Sequence, residues 1–283
     1  MRRATVQLSH GLPVNGETLK TAQIRELNGF DEEHLTETSG LSPLTRSRIL
    51  LGALLEFNAG KEAGGDLLRE LTLGDFSAVL LQVRRMMFGD SMDCVMTCPA
   101  CNAELSVNLK AGQLAENGKG TASEQVNVDG YLLNLRPVTM GDLERLQEQK
   151  RRHDAEGVTS VGRSLEEGFV RSCVTLSEPN LPDTIGKDLL SRIGTKLGEI
   201  DPRGDIVLDL TCPTCGHRFQ APFYPEDFFL RELDARVAQC EREVHWIAFN
   251  YHWTEDAIMS LPVNKRKRYV ELINKTISGD NTI

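Results

Sequence analysis

Cys98-Pro99-Ala100-Cys101 and Cys212-Pro213-Thr214-Cys215 decide how this chain is read. A C-x-x-C pair bends the backbone until two sulfurs converge on one side of a metal, so each motif offers half of a tetrahedral site. Together, four thiolates fill the coordination sphere of a structural zinc and leave no open position for catalysis. In an ordinary zinc ribbon the halves lie roughly 15 to 20 residues apart. Here residues 102 to 211, 110 of them, intervene. The expected metal therefore closes a very long loop.

Both motifs sit between stretches that read as strands. Asp93-Cys94-Val95-Met96-Thr97 precedes the first, and Glu104-Leu105-Ser106-Val107-Asn108-Leu109 follows it. Ile206-Val207-Leu208-Asp209-Leu210 and Phe219-Gln220-Ala221-Pro222-Phe223 flank the second. Short runs of this kind on either side of a turn predict a hairpin capped by each cysteine pair. A redox reading would need one motif beside a βαβ pattern, and it leaves the duplication unexplained. Seven cysteines, an odd number, and no secretory leader speak against a disulfide framework. Cys94, Cys173 and Cys240 are expected as ordinary buried residues. His217 is read as a solvated hairpin residue rather than a ligand.

Working outward, Thr5-Val6-Gln7-Leu8, a turn with Pro13 and Asn15-Gly16, and Leu19 to Leu27 read as an amino-terminal ribbon. Ser42-Pro43 opens a helix with a hydroxyl cap and proline in the first turn. A second helix follows Thr72, with Phe76, Val79, Leu80, Val83 and Met87 at helical spacing and Gly89 as its stop. Between the cysteine motifs, Asp129-Gly130 marks a hairpin, and helices are expected at about 140–154, 164–176 and 184–199. Gly64-Gly65 before Asp66 reads as a turn and helix cap. The Lys265-Arg266-Lys267-Arg268 run reads as a solvated face.

From about Glu226 onward, Leu230, Leu233, Val237, Cys240, Val244, Ile247 and Tyr251 recur in steps of three and four. The seam is either packed on the chain's own core or offered to a partner helix. Both tryptophans, Trp246 and Trp253, and two of the six histidines fall between residues 245 and 253. Aromatics of this kind are enriched at interface hot spots. The candidate partner-binding residues are thus Leu230, Leu233, Val237, Val244, Trp246, Ile247, Tyr251 and Trp253.

The expected fold class is α+β, a helical protein with β-hairpins and a split four-cysteine zinc-ribbon-like element. Its expected parts are a hairpin at 1–30, a helical region at 31–92, the split ribbon at 93–110 and 205–224, an inserted α/β subdomain at 111–204 and a helical region at 225–283. No apolar run approaches a membrane span, and a reducing cytosol suits the free thiols. The net charge of -9 argues against broad attraction to a nucleic acid backbone. A nucleic-acid-binding zinc ribbon is the competing class, by analogy alone. No phosphate-binding loop, dinucleotide fingerprint, H-E-x-x-H or G-x-S-x-G motif is present, so no enzyme reading has a nucleus.

One ordered set of segments resembles a known family. It comprises Leu12-Pro13, Arg25-Glu26-Leu27, the Leu80 to Asp90 stretch ending Met87-Phe88-Gly89-Asp90, the first C-P-x-C, Leu135-Arg136-Pro137-Val138-Thr139, the second C-P-x-C with its glycine, and Tyr251-His252-Trp253. This order resembles the baseplate proteins of contractile tails, specifically the hub assembly proteins of T-even-type phages and their relatives in phage-like injection systems. The resemblance implies a nonenzymatic structural or assembly component whose partners are other baseplate or hub proteins, or a second copy of itself. It places the protein in the cytoplasm of the producing bacterial cell or within a phage tail or phage-like particle.

Overall fold

The computed structural model describes residues 3–57, 61–62, 66–116, 124–155 and 162–278. The expected turn at Gly64-Gly65 lies outside them. The amino-terminal ribbon is β1 (Arg3–Val14) against β2 (Glu17–Arg25), turning at Asn15 and Gly16, both at positive φ. Pro13 belongs to the strand, opposite Thr18, rather than to the turn. β2 pairs onward with β3 (Leu55–Phe57), and β3 with β4 (Lys61–Glu62), so the ribbon is one side of a four-stranded sheet. A marginal two-stranded ribbon gains its stability in this way, from further strands and from the helices beneath.

The ribbon's register breaks between Gln7 and Leu12, where four residues, Leu8 to Gly11, face Lys20 alone. The backbone groups of that bulge have no strand opposite them. Asp75 supplies the missing acceptors, taking the N–H of Ser9 at 2.6 Å, of His10 at 2.9 Å and of Gly11 at 2.8 Å. Lys20 Nζ donates to the carbonyls of Ser9 and His10. Buried backbone polar groups are nearly always satisfied in this manner. Gly11 has φ +78, and a Cβ there would stand 2.7 Å from the Leu19 carbonyl, so only glycine fits the corner.

Three helices follow the ribbon: α1 (Gly29–Glu37), α2 (Pro43–Leu54) and α3 (Leu73–Phe88). Ser42 accepts from Thr45 N–H and Thr72 from Asp75 N–H, as cap residues do. Their apolar faces meet the sheet in the main core, where Leu12, Ile24, Leu51, Leu54, Phe76 and Leu80 are fully or almost fully buried. Gly89 ends α3 at φ 88 and ψ -172, a conformation that is nearly glycine-only. A Cβ at Gly89 would meet nothing within 4 Å, so strain alone opposes a side chain. Gly89→Ala is therefore expected to lower unfolding stability by about 1–3 kcal/mol in urea titration, while Gly40→Ala, at a site with open space and no positive φ, moves it little.

Residues 111–204 hold α4 (Ala111–Glu116), β7 (Glu124–Val128), β8 (Tyr131–Leu135), α5 (Met140–Ala155), α6 (Gly162–Cys173), β9 (Val174–Glu178) and α7 (Lys187–Ile200). The sequence reading carries the 164–176 helix through residues that leave it at Val174; Val174 to Glu178 instead pair with β8, completing a three-stranded sheet. Val-Thr-Leu is β-branched and apolar enough to accept either state, and the free edge of β8 decides. This segment has its own core of Leu133, Leu135, Cys173, Ile193 and Ile200. It is joined to the start of α3 and the residues just before it by backbone bonds from Leu73 N–H to Val138 O and from Met140 N–H to Leu71 O.

After the second hairpin come α8 (Pro225–Tyr251), α9 (Glu255–Met259) and α10 (Val263–Ser278). Arg46 pairs with Asp234 and Arg84 with Glu232, fastening α8 to α2 and α3. Four buried charges lock the carboxy-terminal helices to α1: Glu32 contacts Arg266 and Arg236, and both arginines also reach Glu243. Arg266 is wholly buried, so the basic run that reads as a solvated face in sequence turns one member inward. Burial raises the Glu32 carboxyl above its usual range, against the pull of the two arginines.

Candidate metal centre

Two hairpins carry the cysteines, as the sequence predicts. β5 (Ser91–Thr97) pairs with β6 (Glu104–Lys110) through to Thr97 opposite Glu104. β10 (Val207–Thr211) pairs with β11 (Arg218–Pro222) through to Thr211 opposite Arg218. The two connecting loops are built alike. Cys98 N–H donates to Ala103 O and Asn102 N–H to Cys98 O, each at 2.9 Å. Cys212 N–H donates to His217 O and Gly216 N–H to Cys212 O, again at 2.9 Å. The residue after each second cysteine is left-handed, with φ 57 at Asn102 and φ 72 at Gly216. Asparagine and glycine are the residues that enter this region most readily, so both motifs turn in the same way for the same reason.

The four Sγ atoms lie within 4.8 Å of one another. Cys98 is 3.8 Å from Cys215 and Cys101 is 3.6 Å from Cys212, so the sulfurs of one hairpin touch those of the other. A metal–sulfur bond of about 2.3 Å sets the edge of a four-sulfur tetrahedron at about 3.8 Å. The donor set therefore fits a tetrahedral thiolate metal, zinc or iron by its softness. Disulfides need sulfurs about 2.05 Å apart, and all seven cysteines are free. The first cysteine of each motif is buried and the second exposed, over a small apolar floor of Leu105, Val107 and Phe219. His217 is exposed and stacked on Phe219, outside the sulfur cluster.

Cys212 and Cys101 are shifted in opposite directions. Cys212 is held down to about 6, chiefly by the Cys215 N–H aimed at its sulfur, with Thr214 N–H assisting against desolvation. At Cys101 the Ala103 backbone pulls downward, but the neighbouring sulfurs of Cys215, Cys212 and Cys98 together with desolvation push the thiol up to about 12. One sulfur of the cluster thus ionises easily and another resists. A divalent ion removes that resistance by neutralising charge where the thiolates crowd.

Cys94, Cys173 and Cys240 are buried, as expected. The candidate interface residues divide. Leu230 and Leu233 are buried in the main core, with Val237 packed against it, and Ile247 is buried beside Ile258 and Ile273. Their seam is taken up by the chain itself, which corrects the offered-seam reading at Leu230, Leu233 and Ile247. Val244 and Trp246 are half-buried in the smaller carboxy-terminal cluster, and Tyr251 and Trp253 remain exposed. The sequence reading omits Asp75, Asp201 and Arg203, which join the bulge to the far end of the 111–204 segment. Arg203 donates to Asp75 Oδ1 at 2.7 Å and to Ser9 Oγ at 2.5 Å, and Asp201 accepts Gly74 N–H at 2.7 Å. The signal for Asp75 is its place at the third position of a helix after a Thr cap; nothing local marks the other two.

Fold and site define a mixed α and β protein built around a pair of matching cysteine knuckles. A family model described as T4 bacteriophage base plate protein matches residues 56–230, more than half of the chain and both knuckles. The chain belongs to this T4-type phage baseplate protein family. No curated protein and no solved structure matches it. Among the described residues no helix is long and apolar enough to cross a membrane.

Proposed function

We propose that this chain is a nonenzymatic structural or assembly component of a contractile-tail baseplate, stabilised by one zinc ion held by Cys98, Cys101, Cys212 and Cys215. The observation that carries the reading is the convergence of four thiols from two hairpins, inside a segment that matches a baseplate family. The zinc ties together the start and the end of residues 111–204, an inserted subdomain with its own core. The helices at either side, 31–92 and 225–283, then stand on one scaffold and carry contacts to other baseplate or hub proteins. Four protein ligands leave the metal no open position, so its role is architectural. The working location is the cytoplasm of the phage-producing cell and then the finished tail.

Elemental analysis of the purified protein is expected to find one zinc per chain and no iron. Less than about a tenth of an equivalent of either metal, after purification without chelator, would overturn the metal reading. For the assembly role, a phage lacking this gene is expected to yield tails without complete baseplates in electron micrographs. Normal, infectious particles from such a phage would refute it.

A further inference from the structure

β5 is an edge strand that borders a cleft. The direction of its polar groups is fixed at both ends of the hairpin, where Cys98 N–H donates to Ala103 O and Ala111 N–H donates to Asp90 O. Residues 90 and 98 thus face the β6 side with their backbone groups, and such positions alternate along an antiparallel pair that keeps its register from Ser91 to Thr97. Met92, Cys94 and Met96 therefore bond to β6, and the N–H and C=O of Asp93, Val95 and Thr97 point away from it. The sheet has two strands only, and among the described residues nothing bonds to the outward backbone groups of Asp93 and Val95.

A cleft of about 500 Å³ lies along this edge. Four consecutive residues, Asp93 to Met96, form one side of it and no described β6 residue does, so it borders the free edge and not a face of the hairpin. Cys94 and Phe223 are buried at its floor, with the Phe228 ring 5.9 Å from that of Phe223. The first turns of α8, at Asp227 and Arg231, make the far wall. Val95 and Tyr224 stand at the rim, 64% and 55% exposed.

The chemistry of the cleft names its occupant. N–H and C=O groups at strand spacing are matched by an extended polypeptide backbone, and an apolar floor beneath them receives every second side chain. β5 also lacks the usual protections of an edge, having no proline, no lysine and no bulge in its seven residues. The long edge strand β1, by contrast, is broken by its bulge. A second copy offering its own β5 would bring its β6 behind it, into the place where α8 walls the cleft. A single inserted segment meets no such obstacle.

We infer that the β5 edge receives an extended segment of another baseplate protein, which joins the hairpin as a third strand and rests alternate apolar side chains on Phe223 and Phe228. The inference rests on the reading that this chain works by holding other baseplate proteins, and it names the place and mode of contact. Proline at Val95 tests it, because that substitution removes an outward N–H and no bond of the β5–β6 ladder. Ser106 stands opposite Val95 and turns its own N–H to the other edge of the hairpin, so Ser106→Pro is the matched control. The probes are the other baseplate proteins of the same phage, each coexpressed with the full chain. At least one is expected to copurify with the wild type and with Ser106→Pro. It should bind Val95→Pro at least about 10-fold more weakly, the scale of one lost hydrogen bond at an intact site, with an unchanged circular dichroism spectrum. In the wild-type complex, where no variant has to fold, the amides of Asp93 and Val95 should gain protection from exchange while those of Ser106 and Asn108 do not. A partner that binds Val95→Pro as well as the wild type, or that leaves the Asp93 and Val95 amides exchanging as in the free chain, would overturn the inference while the assembly reading stands. If no baseplate protein binds the wild type, both fall.

Discussion

Cys98→Ser combined with Cys212→Ser is expected to abolish metal binding and to loosen the two hairpins at their cysteine ends. The pair removes one sulfur from each knuckle, and both are the buried members of their motifs, so no rearrangement of Cys101 and Cys215 restores four ligands. Structural zinc in small peptides contributes about 10–16 kcal/mol of apparent binding free energy at neutral pH. Part of that is offset here by ordering the hairpins. If about 4 kcal/mol remains as net stability, the loss lowers Tm by about 8–16 °C for a chain of this size class. Strong chelation of the parent protein should reproduce the shift, and acid should too, because protons compete with the metal for thiolates as pH falls. The floor beneath the sulfurs is small, Leu105, Val107 and Phe219, whereas a second apolar cluster with Met92, Cys94, Leu208 and Phe223 joins the hairpins farther from the sulfurs. Hydrogen exchange should therefore accelerate chiefly at the cysteine ends of the hairpins, residues 97–104 and 211–218, while residues 126–135 and 189–200, in a separate core, keep their protection. A double variant that retains zinc, or one that loses it with no change in Tm or exchange, would eliminate the metal as the clamp.

The hairpins and the site were readable because each is specified locally. Two C-P-x-C motifs between short strands carry both their turn and their chemistry, and Asn15-Gly16 and Asp129-Gly130 are hairpin turns by the same logic, with all four residues at positive φ in the structure. Helix starts at Ser42 and Thr72 were equally local, set by cap chemistry. What escaped was set by partners distant in sequence. β9 is a strand because β8 has a free edge, and residue 174 lies about forty positions from residue 135, with which it pairs. Arg266 sits in a run of four basic residues and looks solvated until Glu32, 234 residues away, turns it inward. The α8 seam was visible as a period but ambiguous in destination. Spacing of three and four marks one apolar stripe on a helix, and it cannot say whether the stripe meets the same chain or another. At Leu230, Leu233 and Ile247 it meets the same chain; the exposed aromatics belong to the end of α8 and the segment just beyond it.

The same long-range dependence makes Asp75→Ala the second large effect. Asp75 is fully buried at the start of α3 and accepts four hydrogen bonds: Ser9 N–H and Arg203 on Oδ1, and His10 N–H and Gly11 N–H on Oδ2. Alanine leaves three bulge N–H groups without their acceptor and a buried guanidinium without its counter-charge. An unsatisfied buried donor costs about 1–3 kcal/mol, and breaking a buried ion pair from one side about 3–5 kcal/mol. These losses share one site and do not add, so about 3–5 kcal/mol is expected for the whole, a large part of a typical domain's stability. Asp75→Asn keeps the shape but turns one acceptor into a donor facing donors, and should recover little. Arg203→Met in the Asp75→Ala background should recover part of the loss, because it removes the stranded charge; that coupling separates the ion pair from the backbone bonds. Urea unfolding gives the magnitude, and exchange at Ser9, His10 and Gly11 reports the place. Stability of Asp75→Ala within about 1 kcal/mol of the parent would mean that water replaces the carboxylate at the bulge. The consequence reaches beyond the ribbon. Asp75 with Arg203, and Gly74 with Asp201, bind the amino-terminal ribbon and α3 to residues 201–205, immediately before the second cysteine hairpin. Gly74 has no room for a side chain, since a Cβ there would fall 1.8 Å from Asp201 Oδ1. Residues 111–204 are thus closed at their far end twice over, by this buried polar joint and by the cysteine cluster. Loss of either closure should weaken the other, and, if the cysteines hold the proposed zinc, the Asp75→Ala chain is expected to yield it to a chelator faster than the parent does.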